Sequence, residues 1–231
     1  MRHDPDALML FAAGLGTRMG ALTASRPKPL IPVAGRPLID HALQLTEAAH
    51  VAHVVVNLHY LPEQIEAHLA ARSEISLSCE PVLLETGGGL RQALPYLGAG
   101  PVFTLNSDAV WTGRNPIEQL RAAWRPDEMD ALLLLIERGN ARGHSGKGDF
   151  TIDADGRITR GPGSVYSGAQ IIRTERLAAI PDAKFSLNLL WDQMIAEGRA
   201  FGVVHQGSWC DVGRPEGIAE AEAMLRENGD V

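Results

Sequence analysis

The sequence predicts an α/β fold in which helices cover both faces of a mixed, mostly parallel sheet. Two observations support this class: short, uninterrupted apolar runs recur along the first half of the chain, and segments with helical character separate them. An uninterrupted apolar run is typical of a strand that is buried on both faces. The alternation of such strands with helices indicates crossover connections over a parallel sheet.

The first half of the chain supplies four predicted strands and three predicted helices. The apolar runs at residues 7–12, 53–57, 75–79 and 102–106 are the predicted strands. The predicted helices are residues 37–49, 62–71 and the short segment 89–94, and Pro37 suits a first helical turn. Because ligands bind at the carboxyl ends of parallel strands, the residues that follow the strands 7–12 and 102–106 are candidates for a site.

The second half is less regular. We predict a strand at 131–136, a loop at 138–148, an antiparallel meander formed by 150–152, Ile158 and 165–172 with a turn at Asp155 and Gly156, a helix at 186–197 capped by Ser186, a strand at 201–205 and a helix at 215–226. No linker, repeat or low-complexity tract interrupts the sequence. We therefore expect residues 1–231 to form a single domain.

Composition and charge exclude several classes of protein. Of the 231 residues, 45% are hydrophobic and 21% are charged, which is ordinary for a globular chain. The net charge of −7 gives no general attraction for nucleic acid or for an anionic membrane, so any phosphate must be held locally. The cysteines Cys79 and Cys210 are too few for a disulfide framework or a zinc set, and we expect two reduced thiols in or near the core. The polar residues 1–6 lack a signal peptide's apolar region, and no apolar run is long enough to cross a bilayer, so we expect a soluble cytoplasmic protein.

A glycine-rich segment follows the first predicted strand. The residues Ala13, Gly14, Gly16, Thr17 and Arg18 form a turn whose backbone amides can bind phosphate, and Arg18 adds positive charge. Downstream, Lys28 lies between two prolines that restrict the loop. The glycine spacing does not match a dinucleotide fingerprint, and the Gly-Lys-Ser/Thr ending of a Walker loop is absent. A plain glycine turn with two solvated cations is the simpler alternative.

Two aspartates follow predicted strands. Asp108 ends the segment LNSD after the strand 102–106, and Asp211 lies in WCDVG after the strand 201–205. One or two carboxylates plus phosphate oxygens form the ligand set that Mg²⁺ prefers, so the pair is a candidate magnesium site. For either aspartate alone, a capping or turn role is the alternative.

Two further glycine-containing segments are weaker signals. LETGGG leads into the helix predicted at 89–94 and would let a flat ligand approach closely, or would simply be a flexible helix start. GKGDF, which contains Asp149, is equally compatible with a substrate contact and a solvated loop. The sequence has no histidine pair at metal-ligand spacing and no Gly-x-Ser-x-Gly elbow, and aromatic residues make up only 5% of it.

These motifs, in this order, resemble the sugar-phosphate nucleotidyltransferase family. The matching stretches are AAGLGTRM, RPKPLIPVAGRPLIDH, LETGGGLRQALPYL, LNSDAVW and WCDVGRPE, which span most of the chain. The resemblance implies a Rossmann-like, GT-A-like nucleotidyltransferase fold. It also implies an enzyme that joins a sugar 1-phosphate to a nucleoside triphosphate and releases pyrophosphate with the help of Mg²⁺.

The resemblance also implies a role for each motif residue. The catalytic residues would be Arg18, Lys28 and Asp108, and the metal ligands would be Asp108 and Asp211. The nucleotide would be bound by Ala13, Gly14, Gly16, Thr17, Arg18, Lys28, Glu80, Gly87, Gly88 and Asn106. The sugar phosphate would be bound by Asp149 and Gly168. The sequence departs from the family at Ser107, where glycine is common, and at Arg160, which stands near the position of a sugar-phosphate lysine and could replace it.

Within the family, the short chain and the stretches LETGGG and GKGDF are most similar to the branch that transfers a uridylyl group from UTP to N-acetylmuramate 1-phosphate in cell-wall sugar recycling. Mannose-1-phosphate guanylyltransferases, which use GTP, are the alternative. A non-catalytic sensor of nucleotides or sugar phosphates on the same fold is a further alternative. We expect these small molecules as partners, with no nucleic acid and no membrane, and a monomer or homodimer.

Overall fold

The computed structural model describes residues 3–229 and confirms the α/β class. Its strands are β1 (Ala7–Phe11), β2 (Pro32–Val33), β3 (Arg36–Pro37), β4 (His53–Leu58), β5 (Ile75–Cys79), β6 (Val102–Asn106), β7 (Ala109–Trp111), β8 (Ala131–Ile136), β9 (Ala141–Arg142), β10 (Phe150–Ile152), β11 (Ile158–Arg160), β12 (Val165–Ile172), β13 (Ala200–Val204) and β14 (Trp209–Asp211). Its α-helices are α1 (Leu38–Ala48), α2 (Pro62–Leu69), α3 (Glu85–Leu97), α4 (Pro116–Ala123), α5 (Asn188–Ala196) and α6 (Glu216–Asn228).

A seven-stranded sheet forms the centre of the fold, with the strand order β13-β8-β12-β6-β1-β4-β5. Strands β5, β4, β1 and β6 are mutually parallel, and β8 is parallel to β13. Strand β12 runs antiparallel between β6 and β8 and joins the two parallel groups. The sheet is therefore mixed and mostly parallel, as the apolar runs predict.

The two faces of this sheet are buried under different helices. In β1, Leu8 and Leu10 pack on the side of α1, α2 and α4, while Met9 packs on the side of α3 and α5. This alternation explains the uninterrupted apolar run, because both faces of the strand must exclude water. A third, smaller cluster lies under α6 and includes Met19, Val110 and Val212. It anchors the segments that carry the candidate site residues.

One predicted element is wrong, and another is too short. Residues 165–172 do not belong to a meander: β10 and β11 form the predicted hairpin, but β12 enters the central sheet. Its residues are apolar enough to be buried on both faces, and that pattern also fits a central strand. The helix predicted at 89–94 in fact begins at Glu85 and contains all three glycines of LETGGG.

Several elements carry too weak a pattern to be predicted from sequence. They are α4, the β2–β3 hairpin, four short 3₁₀ segments and the three-stranded sheet β7-β14-β9.

The expectation that both thiols lie in or near the core holds for Cys210, which is buried, but not for Cys79, which is exposed beside Glu66 at the end of β5. Among residues 3–229, no helix has both the length and the apolar character needed to span a membrane.

Candidate active site

A cleft opens at the carboxyl ends of β1, β4 and β6. Its first cavity, of about 210 Å³, is lined by Phe11, Ala12, Ala13, Gly14, Lys28, Pro29, Asn57, Glu80, Leu83, Glu85, Thr86, Asn106, Ser107 and Asp108. A parallel sheet aligns these strand ends along one edge, so loops that are distant in sequence meet there. The structure thus brings the glycine-rich loop, Lys28, Glu80, Asn106 and Asp108 together.

The glycine-rich loop leaves β1 and turns into a 3₁₀ segment, Thr17–Thr23. Gly16 has a φ of +63°, and a Cβ there would lie 2.9 Å from the Cβ of Lys28, so both conformation and space require glycine. The hydroxyl of Thr23 donates to the carbonyl of Gly16 at 3.0 Å and holds the turn. Gly14 differs, because nothing lies within 4 Å of the position that its Cβ would take. Its small size keeps the cleft open.

Lys28 is brought into the cleft by a short 3₁₀ segment, Lys28–Leu30. Only 8% of the residue is exposed, and its ammonium donates to Oδ2 of Asp108 at 2.6 Å. The prolines on either side restrict the backbone that carries this side chain. A nearly buried cation is therefore held beside one of the two predicted metal ligands.

Asp108 and Asp211 line the same cavity, a neighbour of the first with a volume of about 170 Å³. Strand β14 pairs antiparallel with β7, Asp211 lies opposite Ala109, and the amide of Val212 donates to the carbonyl of Asp108 at 2.9 Å. Burial, together with the negative charge of Asp108, raises the pKa of the Asp211 carboxyl above its ordinary value. Lys28 and Arg18 lower this pKa and partly offset the effect.

Arg18 and Asp211 both lie against Gly213. A Cβ at position 213 would come within 2.8 Å of Oδ2 of Asp211 and 3.1 Å of Nη2 of Arg18. The glycine of the WCDVG motif therefore makes room for a guanidinium and a carboxylate side by side. The cluster of Arg18, Lys28, Asp108 and Asp211 is the charged centre of the cleft.

A buried hydrogen-bond network that sequence reasoning missed joins two walls of the first cavity. Oδ1 of Asn57 accepts from the amides of Ala12 and Ala13, at 2.7 and 3.3 Å. Its Nδ2 donates to Oε1 of Glu80 at 2.7 Å, and Oε2 of Glu80 accepts from the amide of Leu84 at 2.9 Å. Glu80, predicted to bind the nucleotide, thus also fixes the loop before α3. In the sequence, the asparagine that ends the apolar run HVVVN is the feature that could have indicated this network.

The glycines of LETGGG lie in the first turns of α3, and close packing explains each of them. Both Gly87 and Gly88 donate their amides to the carbonyl of Phe185, at 2.9 and 3.1 Å. A Cβ at position 87 would collide with the ring of Phe185, and one at position 88 with the carbonyl of Ala183. At position 89 a Cβ would lie 2.5 Å from Oε1 of Glu80. The cleft wall here is formed by Leu83, Glu85 and Thr86, and the nucleotide contacts of Gly87 and Gly88 stay a prediction.

Asp149 and Gly168, the predicted sugar-phosphate residues, line the 170 Å³ cavity with Asn106. Oδ2 of Asp149 accepts from the amide of Tyr166 at 2.8 Å, which fixes the carboxylate. Gly168 lies in an irregularity of β12 with a φ of +87°, and a Cβ there would be 2.7 Å from Nδ2 of Asn106. The strand thus bulges to accommodate the asparagine side chain.

Ser107 and Arg160, the two departures from the family pattern, have structural explanations. The hydroxyl of Ser107 donates to the carbonyl of Phe11 at 2.7 Å and ties the ends of β6 and β1 together. Arg160 stacks on Phe150 and Trp191 and forms an ion pair with Asp192 at 2.9 Å. The structure therefore does not bring Arg160 to the cavity that contains Asp149, and the suggested replacement of a sugar-phosphate lysine is not supported.

A third cavity, of about 660 Å³, meets the 170 Å³ cavity at Arg18, His144 and Asp211. It is also lined by Arg142 and Arg214, neither of which the sequence singled out. His144 belongs to the loop that precedes GKGDF. Its position in a loop does not by itself predict that it lines the cleft. The 170 Å³ cavity thus shares lining residues with each of the other two.

The residues present fit a single Mg²⁺ ion. Asp108 and Asp211 supply two carboxylates to one cavity, which is what Mg²⁺ takes from a protein when phosphate oxygens and water complete its octahedron. Within residues 3–229 no group of three or more His, Cys, Asp or Glu side chains could hold a metal ion by itself.

Comparison with known proteins agrees with this geometry. The MobA-like NTP transferase domain matches residues 8–147. The N-acetylmuramate alpha-1-phosphate uridylyltransferases of Caulobacter vibrioides and Neisseria meningitidis serogroup B are 42% and 34% identical, over 98% and 94% of this chain and 100% and 96% of their own lengths. A mannose-1-phosphate guanylyltransferase of Mycobacterium tuberculosis is 29% identical over 96% of this chain and 65% of its own length.

The fold is also found among solved structures. A putative glucose-1-phosphate thymidylyltransferase from Bacillus anthracis, solved with sucrose, superposes with a TM-score of 0.77 at 15% identity, over 96% of this chain and 95% of that one. The resemblance and the nucleotidyltransferase fold drawn from the motifs are confirmed. With the family matched over more than half of its length and relatives matched from end to end, this chain belongs to the MobA-like NTP transferase family, as an enzyme of the sugar-1-phosphate nucleotidyltransferase class.

Proposed function

We propose that this chain transfers the uridylyl group of UTP to N-acetylmuramate 1-phosphate and releases pyrophosphate. The observation that carries the proposed chemistry is that Asp108 and Asp211 line one cavity, with Lys28 bound to Asp108. The choice of substrates is supported by the relatives at 42% and 34% identity, which bear the names of N-acetylmuramate alpha-1-phosphate uridylyltransferases.

In the reaction, an oxygen of the sugar phosphate attacks the α-phosphorus of UTP. The bond from that phosphorus to the bridging oxygen breaks, and pyrophosphate leaves with the bonding electron pair. The attacking oxygen is already ionised, so no general base is required. The work of the protein is to position the two anions and to offset their repulsion, as in other phosphoryl and nucleotidyl transfers.

Different residues of the cleft would position the two anions and offset their repulsion. The glycine-rich loop would bind the triphosphate through its amides: Ala13 and Gly14 line the first cavity, and the Arg18 guanidinium adds charge beside Asp211. The ammonium of Lys28 is positioned for the α-phosphate as negative charge builds up there. Asp149 and Gly168 face the acceptor from the GKGDF loop and β12. Asn106, predicted to bind the nucleotide, lies at the end of β6 and lines both this cavity and the first. Partial burial of these groups strengthens each electrostatic contribution.

Mg²⁺ is part of the proposal, with Asp108 and Asp211 as its protein ligands. When bound, the ion would neutralise phosphate charge and fix the orientation of the triphosphate. Asp108 directly precedes β7, and Asp211 of β14 lies opposite Ala109, so both carboxylates line the same cavity.

Guanylyl transfer to mannose 1-phosphate is the second candidate, favoured by the 29% identity to the mycobacterial guanylyltransferase. We rank it lower because that identity is weaker and this chain covers only 65% of that relative.

A substrate panel tests the proposal. The purified chain is incubated with Mg²⁺, UTP or GTP, and N-acetylmuramate 1-phosphate, N-acetylglucosamine 1-phosphate or mannose 1-phosphate, and both pyrophosphate and nucleotide sugar are measured. We expect the highest kcat/KM with UTP and N-acetylmuramate 1-phosphate. Preference for GTP and mannose 1-phosphate would establish the second candidate, and nucleotide binding without pyrophosphate release in any pair would indicate a sensor.

The wider setting stays a prediction. A uridylyltransferase for N-acetylmuramate 1-phosphate would serve nucleotide-sugar biosynthesis from recycled cell-wall sugar. A single domain over residues 1–231 is supported by the pairing of β6 with β12, which joins the two halves of the chain in one sheet. The cytoplasmic location and the monomeric or homodimeric state are predictions from sequence.

A further inference from the structure

The imidazole of His144 has no hydrogen-bond partner among residues 3–229, although it lies in the cleft. Its Nε2 atom is buried and unpaired, and the residue as a whole is half-buried. We propose that His144 binds the acceptor by donating a hydrogen bond to an acidic group of the sugar phosphate. This inference rests on the proposed function and assigns a residue to acceptor recognition.

The location of the ring supports this role. His144 lines the 170 Å³ cavity together with Asp149 and Gly168, the residues predicted to bind the sugar phosphate, and it also lines the adjoining 660 Å³ cavity. It therefore stands at the junction of these two cavities. A contact between His144 and the acceptor needs no rearrangement of the central sheet.

Contacts on both sides position the loop that carries His144. Arg142 forms an ion pair with Glu227 of α6 at 2.5 Å. Gly143 has a φ of +74° and lies directly against the carbonyl of Asp211, where a side chain would collide. A Cβ at position 146 would be 2.5 Å from Nε2 of His144, so the following glycine allows the ring to fold under its own loop.

Two other donors that line the 170 Å³ cavity are already engaged. Ser167 donates its hydroxyl to the carbonyl of Leu134 at 2.6 Å, and the indole of Trp209 donates to the carbonyl of Ser167 at 3.0 Å. Arg18 lies beside Asp211 and the triphosphate loop. Of the described side chains that line this cavity, His144 has the buried nitrogen that lacks a hydrogen-bond partner.

The chemistry of the acceptor requires such a donor. N-acetylmuramate 1-phosphate carries two acidic groups, the phosphate and the carboxylate of its lactyl ether. The cavity is lined by the carboxylates Asp108, Asp149 and Asp211, which repel both groups. A bound cation at Asp108 and Asp211 can offset the repulsion at one acidic group, which leaves the other to a protein donor. A hydrogen bond from an imidazole to an oxyanion is a charge-assisted contact of the required kind.

The experiment compares His144→Ala and His144→Gln with the wild-type protein. The KM for N-acetylmuramate 1-phosphate, the KM for UTP and kcat are measured, and N-acetylglucosamine 1-phosphate, which lacks the lactyl acid, is tested as a substrate or competitive inhibitor. We expect the acceptor KM of His144→Ala to rise on the order of tenfold while the KM for UTP stays within twofold. His144→Gln keeps an N–H donor, so it should recover part of the loss.

The matched control is His53→Gln, an exposed histidine at the start of β4, which should leave all constants unchanged. Thermal unfolding of each variant shows that the fold is intact. If N-acetylglucosamine 1-phosphate binds the His144→Ala variant as it binds the wild type, the contact is to the lactyl carboxylate, and an equal loss assigns it to the phosphate. An unchanged acceptor KM, or an equal rise in the KM for UTP, overturns the inference. Absence of turnover in the wild-type protein would instead refute the proposed function.

Discussion

The ammonium of Lys28 lies 2.6 Å from Oδ2 of Asp108, and 80 positions separate the two residues in the sequence. Lys28 is almost fully buried, whereas the Asp108 side chain is 30% exposed toward the cleft. The contact therefore places a cation next to a carboxylate at the point where phosphate groups would enter. It is the geometric basis of the first prediction.

Loss of either Lys28 or Asp108 should affect kcat much more than it affects the free energy of unfolding. We expect Lys28→Ala and Asp108→Asn each to lower kcat by on the order of 10²-fold or more, because each removes charge stabilisation at the reacting phosphate. Steady-state kinetics with UTP and the acceptor measures the effect. Lys184→Ala, at an exposed lysine 3.8 Å from Glu85, serves as the control and should keep near wild-type kcat. Near wild-type turnover in a folded Lys28 or Asp108 variant would refute the assigned role.

Because the pKa of Asp211 is raised, we expect that replacing this residue increases stability but removes activity. Its folded-state pKa lies above the unfolded value, so the folded state binds the proton more tightly, and the stability of the metal-free protein falls as pH rises from the ordinary aspartate pKa through the raised one. Asp211→Asn removes the buried charge. In chelator at neutral pH we expect a Tm higher by about 2–4 °C, the shift that about 1 kcal/mol produces in a chain of this size.

The same substitution should abolish turnover with Mg²⁺, since a metal ligand is lost. The stability gain should vanish at a pH below the ordinary aspartate pKa, where the wild-type carboxyl is also neutral. Asp127→Asn, at an exposed position, is the control for removal of one negative charge. A Tm for Asp211→Asn that is lower than wild type at neutral pH contradicts the prediction.

The network of Asn57 and Glu80 should act on UTP binding and on stability together. Asn57→Ala leaves the amides of Ala12 and Ala13 and one oxygen of Glu80 without their partner, which should cost about 1–3 kcal/mol of folding free energy. The loop that follows β1 and the loop that precedes α3 both line the first cavity. We therefore expect the KM for UTP to rise more than the KM for the acceptor. Denaturant unfolding and steady-state kinetics measure the two effects.

A double-mutant cycle separates this network from general damage. Asn57→Ala and Glu80→Ala, made singly and together, should show a coupling energy of about 0.5–3 kcal/mol, because the two side chains share a buried hydrogen bond of 2.7 Å. Additive effects on unfolding, or equal changes in both KM values, would show that Asn57 does not link the two walls of the cleft.

Two glycines from different motifs should respond in opposite ways to the addition of one methyl group. Gly14→Ala meets no atom within 4 Å and should leave Tm unchanged, but its methyl group enters the cleft, so we expect kcat/KM for UTP to fall at least about tenfold. Gly88→Ala collides with the carbonyl of Ala183 and should lower the free energy of unfolding by about 1–3 kcal/mol. Each variant is the control for the other, and a Gly14→Ala protein that unfolds earlier would contradict the pairing.

Much of the fold could be predicted because burial on both faces leaves a local pattern. The runs that form β1, β4, β5, β6 and β8 were predicted to within one residue at each end. The short strands β7, β9 and β14 have two or three residues each, which is too few to display a period. The same limit explains why the network around Asn57 escaped prediction, since its partners lie 23 and 45 residues away.

By itself, the sequence determined the α/β class, the order of the motifs and the placing of polar residues after buried strands, because each of these depends on residues that are close together in the chain. Only the tertiary structure decided that β12 lies between β6 and β8, that the glycines of LETGGG are packed into α3, and that β14 brings Asp211 beside Asp108. These features depend on contacts between distant segments, which form where the whole chain buries its apolar surface and pairs its backbone groups. Local hydrophobic periodicity does not predict which distant segments come into contact.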